Sequence, residues 1–294
     1  MRYAYYPGCS SESSARDQHT SSIAVTRALG IDLVEIPGWS CCGATPAHQT
    51  DRLLAASLPA ANLLWARDMG LDVAVNCAAC YNRLKTANYE VQHQPEMRKK
   101  VAAALNRDYD GSVKVRHIVE VLLEDFGVKN LETRLRHSLN GLKIAAYYGC
   151  LLVRPHEVTQ FDDPENPQSV DTLVTALGGE SLDWPCKVSC CGNSLSLTTR
   201  SDMVVDFSDA IIGMAASAGA ECIAVACPLC QVNLDLRQSN IQKKTGRNYQ
   251  MPVLYITQLI GLCLGLSFAE LGLNKLVVSP SAVIKVVNEN SFKF

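Results

Sequence analysis

Val73-Ala74-Val75-Asn76-Cys77-Ala78-Ala79-Cys80 is a short apolar run that ends on a Cys-x-x-Cys pair, and Ile223-Ala224-Val225-Ala226-Cys227-Pro228-Leu229-Cys230 repeats the design later in the chain. A brief β-branched run of this kind reads as a buried strand. The echo is not isolated. Tyr6-Pro7-Gly8-Cys9 returns as Tyr147-Tyr148-Gly149-Cys150, and Ser40-Cys41-Cys42-Gly43 as Ser189-Cys190-Cys191-Gly192. Val113-Lys114-Val115-Arg116-His117-Ile118 returns as Met251-Pro252-Val253-Leu254-Tyr255-Ile256. The offsets drift by several residues, as loop insertions would cause, while the order of the blocks never changes. That is the mark of an internal duplication. The boundary falls in the charged stretch 125–142, which divides the chain into units 1–141 and 142–294.

Working outward, the first unit reads as strands near 2–6, 32–36, 72–76 and 113–116, with helical patterns near 14–29, 50–69 and 96–105. The second unit repeats this with strands near 143–147, 181–183 (the weakest), 222–226 and 252–255. Apolar strands separated by amphipathic stretches predict an α/β protein of two homologous βαβ-type halves, each with a parallel sheet. On that frame Cys9, the Cys41–Cys42 pair and the Cys77/Cys80 pair all follow strand ends. Parallel strands end on one edge of a sheet, where open α/β folds bind ligands. Five thiols distant in sequence are therefore expected on one crest. Cys150, Cys190, Cys191, Cys227 and Cys230 are expected to do the same.

Composition narrows the chemistry. The chain has 294 residues, 48% of them apolar and 19% charged, with a formal net charge of −2. This fits a folded chain and gives no basic footprint for nucleic acid. Thirteen cysteines without an apolar leader at the start read as metal or redox chemistry, and the expected location is cytoplasmic. The uncharged stretch 248–269 contains Pro252 and several glycines and reads as a buried strand followed by a buried helix, with no membrane span. Five thiols exceed the four ligands of a structural zinc or of an ordinary cubane. Either one cysteine is a bystander, or the site holds a cluster of unusual nuclearity.

The combined pattern resembles the CCG domain, named for Cys-Cys-Gly, and two copies in one chain resemble the B-subunit family of heterodisulfide reductase. The resemblance implies a noncubane [4Fe–4S] cluster on Cys9, Cys41, Cys42, Cys77 and Cys80. It implies a second on Cys150, Cys190, Cys191, Cys227 and Cys230, the two facing each other across a pseudo-twofold at the carboxyl ends of the strands. Zinc or a different cluster in one half is the alternative. The implied reaction is reductive cleavage, or formation, of a disulfide in a small sulfur-containing substrate. The alternatives are oxidation of a thiol or persulfide, and electron transfer for a quinone-linked or 2-hydroxy-acid oxidoreductase. The chain carries neither a ferredoxin cysteine run nor a Gly-x-Gly-x-x-Gly after its first strand. Electrons are thus expected from partners, by resemblance a ferredoxin-like protein (the C component of such complexes) and a flavoprotein (the A component).

Other residues carry two readings each. His117 and its counterpart Tyr255 end the fourth strand of each unit; they are either proton donors to a leaving thiolate or packed strand-end residues. His48 lies close enough to Cys-Cys-Gly to reach a ligand, while His19, His93, His137 and His156 read as surface residues. Cys222 and Cys263 read as core, and Cys186 keeps a minor redox role open. Gly43 and Gly192 suit tight turns that bring backbone to a cluster. The tail 279–294 alternates apolar and polar residues near its centre and reads as an added strand, a partner-binding arm or a frayed end.

Overall fold

In a computed structural model that describes residues 1–44, 47–196, 198 and 200–290, the duplication is realised as two separate four-stranded sheets. The first contains β1 (Arg2–Tyr6), β2 (Asp32–Glu35), β3 (Val73–Val75) and β4 (Val115–His117) in the order β2-β1-β3-β4. The second contains β5 (Lys143–Tyr147), β6 (Glu180–Ser181), β7 (Cys222–Val225) and β8 (Val253–Tyr255) in the order β6-β5-β7-β8. All pairings are parallel. β3, β7 and β8 are buried along their whole length, as strands covered on both faces must be. Asp32 and Glu35 are exposed on edge strand β2.

Both sheets have the order 2-1-3-4, so the crossover direction reverses between the first and third strands. That crevice is where open α/β sheets take ligands. Equivalent rows close each sheet there: Tyr6 beside Val75 beside His117, and Tyr147 beside Val225 beside Tyr255.

The main helices are α1 (Arg16–Ala28), α2 (Arg52–Asp68), α3 (Ala78–His93), α4 (Pro95–Leu105), α5 (Ser169–Ala176), α6 (Ser201–Ser217), α7 (Pro228–Leu236), α8 (Gln238–Thr245), α9 (Ile256–Cys263) and α10 (Ser281–Glu289). The two halves interlock. α1 lies against α9, where Ser21 Oγ and Thr257 Oγ1 stand 2.8 Å apart. On α3, Asn82 Nδ2 donates to the carbonyls of Leu151 (3.3 Å) and Arg154 (2.8 Å) in the loop after β5. The strands of the first sheet all precede residue 141 and those of the second follow it. Residues 134–142 lean on the second half, with Leu139 N donating to Leu177 O (2.9 Å) and Arg136 N to Cys263 O (2.7 Å).

Several boundaries differ from those read in the sequence. α3 is a full helix absent from the sequence-based expectation; its buried Tyr81, Leu84, Ala87 and Val91 carry the helical spacing. A π-helical turn, Val121–Gly127, continues the short helix Ile118–Glu120. Through 290 the tail is neither a strand nor a frayed end. It forms α10, whose Val283 and Val287 are buried four residues apart, which is helix periodicity. The last four positions of that expected tail, 291–294, lie outside the described residues. The stretch 248–269 forms strand β8 and helix α9, and among the described residues no helix is long and apolar enough to cross a membrane.

Candidate metal centre

The Cys-x-x-Cys pairs are helix starts. Cys77 is the N-cap of α3 and Cys227 the N-cap of α7, and Pro228 occupies the first helical position, where its missing N–H is no loss. Cys80 and Cys230 then fall in the first turn. Free N–H groups and the positive end of the helix dipole favour thiolate there. The vicinal pairs sit in turns closed by Gly43 (φ 71°) and Gly192 (φ 77°), whose N–H groups donate to Cys41 Sγ (3.4 Å) and Cys190 Sγ (3.3 Å). A Cβ on Gly43 or Gly192 would meet Leu58 or Phe207 and not a thiol. On the side where a Cβ would lie, close approach to sulfur falls to Gly8 and Gly149. A Cβ there would stand 3.1 Å from Cys80 Sγ and 2.9 Å from Cys230 Sγ.

The thiols of each set converge. Cys42 Sγ lies 3.3 Å from Cys80 Sγ, Cys41 contacts Cys42, and Cys77 contacts Cys80. In the second half Cys150 contacts Cys190, while Cys230 contacts both Cys191 and Cys227. Cys150, Cys190, Cys191, Cys227 and Cys230 together line a cavity of about 60 Å³ that Ala78 and Ala79 of the first half also wall. The two sets meet, because the thiols of Cys77 and Cys227 are near enough to interact across the halves. Gln18 pins this meeting point. Its Nε2 donates to Asn76 O at 2.9 Å and reaches Ala226 O at 3.5 Å, the residues just before the two Cys-x-x-Cys pairs. Among the described residues no three His, Cys, Asp or Glu side chains close on a single ion position; the thiols contact one another in pairs.

Paired thiols divide the proton between them. Cys42 is held toward thiolate chiefly by hydrogen bonds from Cys41 and from Cys80. Cys190 is lowered to about 6, chiefly by Cys150. Cys227 is lowered by Cys230 and Cys77. Their partners Cys41, Cys150, Cys77, Cys80 and Cys230 are pushed up, since a second negative sulfur alongside is unfavourable. A soft, cationic iron–sulfur group fits this donor set, since it offsets the repulsion and takes thiolate ligands. Cys9, Cys41 and Cys190 are exposed and Cys150 is half-buried, so the crest is open to solvent.

The two candidate proton donors end strands β4 and β8. His117 is fully buried at the start of the helix after β4. Its Nε2 lies 2.9 Å from Asn76 O and its Nδ1 accepts from Val119 N at 3.2 Å, which assigns the proton to Nε2. Burial lowers its pKa to about 4, so the ring is neutral. Tyr255 occupies the same place in the second half. Its hydroxyl donates to Gln231 Oε1 at 3.3 Å, and its N–H donates to Gln258 Oε1 at 3.0 Å, as His117 N does to Glu120 Oε2 at 2.7 Å. Both are strand-end residues committed to local bonds, and neither lines the cysteine cavity.

Cys222 and Cys263 are fully buried in β7 and α9, as core residues, and Cys186 is half-buried in the loop ahead of Cys190. His48 is exposed. His19 is no plain surface residue, since its Nδ1 lies 3.0 Å from the hydroxyl of buried Tyr5. The sequence reading passes over three residues at the centre: Gln18, Tyr6 and Tyr147. For the tyrosines a signal is present, because both stand in the repeated Tyr-x-Gly-Cys block.

The model of a cysteine-rich domain, CCG, matches residues 3–85 and again 144–235. Over 280 residues the chain is 35% identical to the membrane anchor subunit of the 8-methylmenaquinol:fumarate reductase of Wolinella succinogenes, spanning 95% of this chain and 98% of the relative. It is 33% identical over 252 residues to the B subunit of the ferredoxin/F(420)H(2)-dependent CoB-CoM heterodisulfide reductase of Methanosarcina acetivorans, spanning 84% of each. It is 29% identical to an Archaeoglobus profundus protein described as like the B subunit of heterodisulfide reductase, spanning 99% of each. A crystal structure of a hypothetical protein from Helicobacter pylori shares the fold with a TM-score of 0.78 at 13% identity; it covers 95% of this chain, which spans 52% of that one.

Proposed function

This chain belongs to the CCG cysteine-rich family that includes the B subunit of heterodisulfide reductase, and on that premise we propose that it is an iron–sulfur redox subunit whose substrate is a disulfide. The observation that carries the reading is the meeting of two five-thiol sets at Cys77 and Cys227. A disulfide has two like ends, and a duplicated site offers a like place for each. Cys9, Cys41, Cys42, Cys77 and Cys80 would hold one noncubane [4Fe–4S] group, and Cys150, Cys190, Cys191, Cys227 and Cys230 the other. Such groups, when bound, supply single electrons and iron able to take a sulfur ligand.

The chain's own residues do the rest. The starts of α3 and α7 present Cys77, Cys80, Cys227 and Cys230 toward the meeting point of the two sets, and the exposed Cys9, Cys41 and Cys190 mark the side from which a small sulfur compound enters. Reduction of a disulfide takes two electrons and two protons and releases two thiols. Electrons would come from a ferredoxin-like partner joined to a flavoprotein, the C and A components of such complexes, and protons from solvent at the open crest. The units 1–141 and 142–294 each supply one site, in a cytoplasmic complex.

A second reading is an electron-transfer subunit of a quinol-linked reductase, which the similarity to the fumarate reductase subunit favours. Anaerobic purification followed by iron, sulfide and zinc analysis tests the metal content; about eight irons with matching sulfide is expected. Four irons with one zinc would remove the two-cluster reading. Disulfide turnover with an artificial electron donor then separates a catalytic subunit from a relay, which shows none.

A further inference from the structure

Tyr6 and Tyr147 are fully buried in the last row of each sheet, beside Val75 and Val225. Four thiols lie near enough to act electrostatically on each phenol: Cys80, Cys42, Cys41 and Cys9 on Tyr6, and Cys230, Cys191, Cys150 and Cys190 on Tyr147. Each ring runs beneath the glycine turn that carries the first cysteine. The would-be Cβ of Gly8 is 3.5 Å from Tyr6 Cε1, and that of Gly149 is 3.8 Å from Tyr147 Cε1. Each ring is braced by a tryptophan, Trp39 at 5.7 Å and Trp184 at 6.1 Å between centroids. Each hydroxyl donates to the carbonyl of the residue just before a vicinal cysteine pair. Tyr6 reaches Ser40 O at 2.7 Å, and Tyr147 reaches Ser189 O at 2.6 Å.

The packing of these rings needs only a phenyl group. The hydroxyls need a different reason, and the duplicated bond supplies it. One strand end carries Cys9 or Cys150, and a separate loop carries Cys41–Cys42 or Cys190–Cys191. The hydroxyl is a direct tie between the two. We propose that Tyr6 and Tyr147 are positioning residues of the two thiol sets, each fixing the vicinal-cysteine loop against the strand that bears the first cysteine, so that the site is assembled before metal enters. A fully buried phenol that donates to the carbonyl of a more exposed loop anchors that loop to the sheet.

The two ties differ in backup. Asn62 Nδ2 also donates to Ser40 O at 3.1 Å, while no second donor to Ser189 O is found among the described residues. Loss of the Tyr147 hydroxyl therefore orphans a carbonyl, and loss of the Tyr6 hydroxyl does not. The effects should be graded.

The test uses the full chain, reduced and metal-free, with Tyr6→Phe and Tyr147→Phe made separately. Alkylation of Cys41 and Cys190 by iodoacetamide is timed by peptide mass spectrometry, and iron bound after anaerobic reconstitution is counted. Tyr147→Phe should speed Cys190 about tenfold, and Tyr6→Phe should speed Cys41 about threefold, each leaving the other half's thiol at the wild-type rate. Iron should fall by about half in Tyr147→Phe and less in Tyr6→Phe. Wild-type rates at both thiols in both variants would overturn the proposal, and so would an equal rise at both thiols, which is general loosening. If Tyr147→Phe does not fold, Tyr6→Phe decides alone, because Asn62 keeps its carbonyl bonded. The inference rests on the proposed function only through the iron count. Half-specific rate changes in a chain that binds no iron would sustain the positioning role and remove the cluster reading.

Discussion

Gly149→Ala is the substitution that most directly challenges the thiol geometry. The backbone there has φ +68°, and the new methyl would stand 2.9 Å from Cys230 Sγ. Two penalties follow. An L-residue in a left-handed conformation costs about 1–2 kcal/mol. The methyl must also gain roughly 0.6–1 Å of clearance to reach an ordinary contact distance of about 3.5–4.0 Å, and overpacking of this kind costs about 1–3 kcal/mol. Ligand positions are fixed to within about 0.2 Å, so a sulfur moved that far no longer serves. Gly219→Ala separates the two penalties, since Gly219 has φ +84° with nothing within 4 Å of its would-be Cβ. The assay pairs urea unfolding of the metal-free chain with iron per chain after reconstitution. Gly219→Ala should lose about 1–2 kcal/mol and load iron normally. Gly149→Ala should lose about 2–5 kcal/mol and bind about half the iron. Gly8→Ala, with a contact of 3.1 Å to Cys80 Sγ, should fall between them. Equal iron in Gly149→Ala and Gly219→Ala would refute the reasoning.

Asp17, 6% exposed on α1, is raised from 3.8 to about 6 by burial and by nearby Asp235. The folded chain then holds that proton more tightly than the unfolded chain, so stability falls as pH rises from about 4 to 6. Asp17→Asn should flatten this fall by something on the order of 1–3 kcal/mol, read as the pH dependence of the urea midpoint; an unchanged slope would refute it. Lys187 Nζ meets Asp171 Oδ1 at 3.0 Å with both side chains about a tenth exposed or less, and Tyr148 and Ser181 also donate to that carboxylate. Lys187→Met should cost about 3–5 kcal/mol by thermal unfolding, and adding Asp171→Leu should recover part of the loss, because the unpaired charge is then gone. His117→Ala removes the bonds to Asn76 O and Val119 N and should cost about 1–3 kcal/mol in the same assay, where a loss below about 0.5 kcal/mol would show that the ring is dispensable as a cap.

What the sequence makes legible follows from repetition. Short apolar runs locate the strands to within two residues, and their shared direction already implies a common edge for the cysteines. Side-chain commitments are hidden. Nothing in Val-Arg-His-Ile says that the His117 ring is taken up by Asn76 O and Val119 N, because those partners lie on a different strand end and a turn ahead. Gln18 is invisible for the same reason: its two acceptors, Asn76 and Ala226, come from opposite halves of the chain. α3 escapes notice although Tyr81, Leu84, Ala87 and Val91 carry its spacing, since its first turn is also the Cys-x-x-Cys motif. The glycines of Cys-Cys-Gly serve the turn and bring their N–H groups to Cys41 and Cys190 sulfur, as read, while the further close approach to sulfur at Gly8 and Gly149 goes unread.

The interlock of α1 with α9 bears on when the protein becomes competent. Gln18 and Ser21 leave the ribosome early, yet the carbonyl of Ala226 and the hydroxyl of Thr257 that they meet are made more than 200 residues later. Contacts so distant along the chain close last. Until then the first cysteine set has no partner set across from it, and Cys77 has no Cys227 beside it. A chain cut ahead of β7 would lack Cys227 and so leave Cys77, buried beside it in the folded chain, uncovered.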